Sequence, residues 1–259
     1  EEYKGVGRYR VGDTVHSNNC GVFKILSKTG NDNKRLIQFL STGCEYRVDI
    51  SSINKGEVKD YLLPSVFGVG VTGFCTISED DKPHYLVWVE VLKRCYYERK
   101  SQQYHCTTYV DCKVSDNFKY FTYFKDWCNK QVGFNSIDEK GALFHLDKDI
   151  LVKGNKVYSE TTCCFVPQEI NGLFTLRKNH RGEQPLGVYF NKALLKYSAS
   201  LSIKGKSVFL GLHQCEESAF LAYKQAKETY IKEVANKWKE QIDPRVYEAL
   251  INWEVDYND

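Results

Sequence analysis

Methionine is missing from this sequence altogether, and the chain opens at Glu1. The initiator residue is therefore absent, and the chain is expected to be trimmed at that end. No apolar run reaches the length of about 18 residues needed to span a bilayer. A secretory leader is not expected either, since the first ten residues, EEYKGVGRYR, are polar. Ten cysteines are present, yet none stands in CxxC spacing. Structural zinc sites favour knuckles of about two to four intervening residues, and Cys95, Cys106, Cys112 and Cys128 cluster only loosely. They read better as reduced, buried thiols than as metal ligands. The expectation is a cytoplasmic protein with no membrane partner. A strong charge imbalance is missing too: the net charge is +3, which does not by itself announce a nucleic-acid binder.

What is present is a well-supplied core. Apolar residues make up 42% of the chain and aromatics 14%, which excludes global disorder. At 259 residues, one large domain or two to three small ones fit. Lysines recur between aromatics from Lys93 onward, while acids collect at the C-terminal end. Texture divides the chain into residues 1–73, 74–180 and 181–259, and the pattern predicts an α+β fold. In the first block GVFKIL (21–26), RLIQFL (35–40) and EYRVDI (45–50) alternate as strands, split by turn chemistry at 29–34 and 42–45. Short strands so spaced suggest a small β-barrel, with 61–73 leading out of it.

In the second block, 85–97 places Val87, Val91 and Arg94/Cys95 on one helical face, with Trp88 and Leu92 beside it. A second helix is predicted over 116–130, with Phe118, Phe121, Phe124 and Trp127/Cys128 at helical spacing and Asp116 as its cap. A polar, basic linker, RKNHRGEQP (177–185), leads to strands at 187–190, 196–203 and 206–211. A long helix over about 216–239 follows, with Ala219, Ala222/Tyr223, Ala226 and Tyr230 on its apolar stripe and Glu216 and Glu217 at its positive end. The acidic tail 254–259 is expected to be exposed and mobile.

The stretch HLDKDILVKGNKVYS (145–159) carries the candidate chemistry. A one-metal nuclease needs a carboxylate on the metal, a base to activate water, and an amide-bearing side chain that positions the base strand. Asp147, Asp149 and Asn155 offer these groups on what reads as a two-armed hairpin, and CCFVPQEINGLF (163–174) reads as a strand entering a short helix with Asn171. LDKDIL, GNKVYS, TCCFVP and EIN, preceded by KRCYY and YFKDW, resemble the HNH, or ββα-metal, nucleases, particularly HNH-like bacteriophage proteins related to homing endonucleases. The resemblance covers residues 85–175. It implies Asp147 as a metal ligand and Asn155 as the central Asn, with Asn171 near the third motif position and one Mg²⁺ or Mn²⁺ as cofactor. Lys148 stands where that family carries its histidine base. A solvated lysine, with a pKa near 10.4, is a poor base at neutral pH. Three outcomes are open: His145 reaches in from the same strand face, Asp147 and Asp149 hold a metal whose water is activated directly, or the site is inactive.

Residues 186–237, with GV, KYSASLSI, GKSVFLG and EESAFLAY, resemble the APETALA/ethylene-response-factor DNA-binding domain, which also occurs in phage homing endonucleases. The resemblance implies a three-stranded sheet laid into the major groove of double-stranded DNA and backed by the helix. Lys192, Lys196, Tyr197, Ser198, Ser200, Lys204 and Lys206 are the candidate contacts; Arg181 of the linker, with Arg177, Lys178 and His180, either adds phosphate or minor-groove contacts or belongs to an ordinary soluble linker. The family's sheet arginines are absent here. The leading functional expectation is a phage-type DNA-binding protein that hydrolyses phosphodiester bonds with one divalent metal, acting in the host cytoplasm. The alternative is a catalytically inactive binder of DNA or of a host or phage protein, acting as a regulator or a counter-defence protein.

Overall fold

The computed structural model describes residues 9–28, 33–97, 109, 111–174 and 184–257. The fold is α+β, with several small sheets and six α-helices among these residues, and no helix is long and apolar enough to cross a membrane. The chain forms two compact units, residues 1–126 and 127–259.

The first unit opens with four strands, β1 (Thr14–Ser17), β2 (Gly21–Lys28), β3 (Lys34–Phe39) and β4 (Glu45–Asp49), in an antiparallel sheet of order β1-β2-β3-β4. Alternation along β3 turns Leu36 outward while Ile37 and Phe39 join Phe23, Ile25, Val48 and Ile53 in a core, Ile53 coming from helix α1 (Ile50–Lys55). The three expected strands are present. β1 and α1 lie beyond what the pattern indicated, and no closed barrel is found among the described residues.

Helix α2 (Lys82–Tyr96) starts at Asp81, with Pro83 in its first turn, where a missing N–H costs nothing. Its buried positions are His84, Trp88, Val91 and Leu92, so the apolar face is turned toward Trp88 from the predicted Val87 line. After the two-residue strand β5 (Lys113–Val114), the second predicted helix is broken. A 3₁₀ turn at Asn117–Lys119 and an extended Tyr120 precede α3 (Phe121–Cys128). Val71 causes the break, because its N–H donates to Lys119 O and its carbonyl accepts from Phe121 N. Asp116 caps nothing and pairs instead with Lys119 at 2.6 Å. The predicted aromatic face is buried, with Phe118 edge-on to Phe124.

In the second unit, β6 (His145–Asp147), β7 (Val157–Tyr158) and β8 (Cys164–Val166) lead into the short helix α4 (Gln168–Asn171). The three-stranded antiparallel sheet β11-β10-β9 follows, formed by β9 (Val188–Asn191), β10 (Lys196–Ile203) and β11 (Lys206–His213). Helix α5 (Glu216–Trp238) covers one face of that sheet, packing Phe220 and Tyr223 on Leu201, and α6 (Pro244–Ile251) packs on α5. Gly187 permits the close approach. It has φ +73°, and a Cβ there would lie 2.0 Å from the Tyr223 ring. The tail is not free as expected. Val255 is buried, its N–H donates to Glu228, and its carbonyl accepts from Lys224.

Candidate functional site

The hairpin differs from the sequence expectation in its pairing. β6 pairs antiparallel with β8, matching His145 with Val166, Leu146 with Phe165 and Asp147 with Cys164; the KVYS run is not its partner. β8 is buried throughout, at Cys164, Phe165 and Val166, whereas in β7 Val157 is exposed and Tyr158 buried. In chain order β6, β7 and β8 precede the short helix α4.

Asp147 ends β6 and caps its own loop: Oδ1 accepts from the N–H groups of Asp149 and Ile150, both at 2.8 Å. Burial, then the negative charge of Asp149, pushes its carboxyl up to about 6 against the pull of those two amides. Lys148 is folded inward with a side chain only 6% exposed, and its Nζ lies 2.9 Å from Asp149 Oδ2 and 5.8 Å from the centre of the Tyr158 ring. Its long apolar stem allows that burial once the ammonium has a carboxylate. Asn155 is a clamp. Its Nδ2 donates to the carbonyls of Lys148 and Val157, both at 2.7 Å, and its Oδ1 accepts from Val157 N. The amide thus fastens the backbone at Lys148.

His145 is exposed on β6, and Asn171 closes α4. The donor set fits a divalent ion poorly. One oxygen of Asp147 is committed to backbone amides, one of Asp149 to an ammonium, and no three His, Cys, Asp or Glu side chains gather around one point among the described residues.

On the C-terminal sheet, alternation along β10 sends Ala199, Leu201 and Ile203 to the helix side and Lys196, Ser198, Ser200 and Ser202 to the open side. Tyr197 follows the first set and packs on Phe190, so it does not lie on the open face as expected. Lys192 stands in the β9–β10 turn. Lys204 stands in the β10–β11 turn, 3.5 Å from Glu169, and Lys206 opens β11 opposite Ile203. Arg181 and the other basic linker residues lie outside the described residues, as does Cys106. The open face also carries side chains that a search for basic residues passes over: Tyr189, Phe209 and Leu212. Compared with known proteins, the chain matches no family model, no curated protein and no solved structure.

Proposed function

We propose that the chain is a DNA-binding protein of APETALA type whose HNH-type hairpin serves as structure rather than as a cutting site. In this reading the β1–β4 module is a barrel-type appendage, the sheet β9–β11 docks on duplex DNA, and the hairpin buttresses α5. The single observation that carries it is the buried Lys148 ammonium, paired with Asp149 in the position of the base. Held against the Asp149 carboxylate, this side chain is a poor acceptor of a proton from water, and a charge there opposes a divalent cation at the same carboxylates. The test is incubation with supercoiled plasmid in Mg²⁺, Mn²⁺ or EDTA, beside salt-dependent binding to duplex DNA. The expected result is binding that weakens steeply with salt and no metal-dependent nicking. Nicking that Asp147→Ala abolishes would overturn the inactive assignment, and absence of binding at low salt would overturn the DNA assignment.

A second reading, hydrolysis by the same hairpin, is favoured by one observation: Asp147 keeps a carboxyl that burial disfavours, and strongly perturbed carboxyls concentrate at functional sites. Lys148→His separates the two readings. Nicking gained in that variant alone marks an intact scaffold disarmed at one position.

A further inference from the structure

We propose that the open face of the C-terminal sheet reads duplex DNA through the methyl groups of thymine, with Tyr189, Phe209 and Leu212 as the reading side chains. The inference deepens the DNA-binding reading above and rests on it. The strand register brings the three side chains together: Ser198 of the central strand lies between Tyr189 on β9 and Leu212 on β11, and the next outward residue, Ser200, lies beside Phe209. The central strand therefore forms a low row of serines flanked by taller apolar groups. Tyr189 is 66% exposed, Phe209 65% and Leu212 42%, on a sheet whose other face packs against α5. Three large apolar side chains side by side in water mark a contact surface.

The charge around them selects the partner. From Gln184 to Cys215 there is no aspartate, glutamate or arginine, while Lys192, Lys196, Lys204 and Lys206 stand along this stretch. Lys196 on the open face and Lys192 in the adjoining turn set cations at one end of it, while Lys204 pairs with Glu169 and Lys206 stands opposite the helix-side Ile203; such an end suits a polyanion, and β-structure can enter a major groove. Without arginine, the planar fork that grips guanine is missing, and Lys196 offers that base only a point charge. The hydroxyls serve any base, and the apolar groups have one distinctive target in that groove, the thymine C5 methyl. The lysines then supply affinity and the apolar row supplies preference.

The test compares binding of the full chain to three duplexes of equal length, alternating dA-dT, dA-dU and dG-dC, by fluorescence anisotropy across a salt series. The first two carry the same charge and the same pairing and differ by the methyl. The expected result is tighter binding to dA-dT than to dA-dU, by about fourfold for each methyl buried, with dG-dC no better than dA-dU. Phe209→Ser narrows that gap and leaves the salt slope unchanged. Lys192→Ala combined with Lys196→Ala lowers the slope and leaves the gap. All these side chains point away from the face packed against α5, and circular dichroism verifies that the variants fold. Equal affinity for dA-dT and dA-dU, or a gap that survives Phe209→Ser, overturns methyl reading while DNA binding stands. Failure to bind any duplex at low salt overturns both.

Discussion

At the scale of single residues, the hairpin spends its polar groups on itself. Lys148 is enclosed while its partner Asp149 remains half in water, so the ammonium bears most of the desolvation. Lys148→Met is therefore expected to change stability by less than about 1 kcal/mol in urea unfolding, because an apolar chain of similar length removes that cost and Asp149 rehydrates. Asp147 titrates in the opposite sense to a salt-bridged carboxylate. Its folded value is raised to about 6, so whatever stability it lends is present below the ordinary 3.8 and is lost as pH rises through about 6. Asp147→Asn keeps the acceptor for both amides, and its melting temperature is expected to exceed that of the wild type at pH 7 but not at pH 4. Asp81 shows the usual sign. The Lys125 ammonium first, then the Ser78 hydroxyl and amide, hold it at about 2, below the ordinary 3.8. Its contribution is complete above 3.8 and disappears as pH falls through about 2, so the wild type is expected to lose more stability than Asp81→Asn between those values.

At the scale of elements, periodicity was a good guide wherever one face is buried and the other wet. The strands β2, β3, β4, β9, β10 and β11 and the helices α2 and α5 fall close to where alternation and helical spacing put them. It failed where a distant backbone group decides the outcome. Nothing in DNFKYFTYFKDWC announces that Val71 claims the backbone at Lys119 and Phe121 and interrupts the helix. The partner of β6 was likewise hidden, because KVYS and CCFV both read as strands and nothing in either run names its partner. In the candidate site, neither the bonds of Asn155 to the Lys148 and Val157 backbone nor the inward fold of Lys148 was legible, since a loop asparagine does not show its partners in the sequence and charged side chains ordinarily face water. Tyr189, Phe209 and Leu212 were legible in principle, as the outward members of an alternating sheet. Two substitutions test the elements themselves. Gly187→Ala drives a methyl into the Tyr223 ring at a positive φ and is expected to cost at least about 2 kcal/mol. Asp243→Ala removes the cap that accepts from Arg245 N at the start of α6 and is expected to cost about 1 kcal/mol; both are read from urea midpoints.

At the scale of the whole second unit, the hairpin and the C-terminal sheet are bound into one body. Glu169 of α4 accepts from Lys237 at 2.7 Å and from the Trp238 indole at 2.9 Å, Lys227 donates to the Leu173 carbonyl, and Phe174 packs on Trp253 at 4.1 Å. Burial works against the ionised Glu169, but Lys237 and Trp238 outweigh it and lower its pKa. Glu169→Ala leaves the Trp238 N–H without its acceptor and is expected to cost about 1–3 kcal/mol, with amide exchange accelerating on both α4 and α5. Exchange confined to α4 would show that the two parts open separately. The same burial bears on the sulfur atoms of this unit. Burial pushes the thiols of Cys128, Cys163 and Cys164 up, that of Cys163 to about 12. The thiolate, not the thiol, attacks an alkylating reagent, so in the closed molecule these three sulfurs are chemically mute. They become reactive only when the strands around them part, and the rate at which a thiol reagent adds mass to them is a built-in clock for that opening.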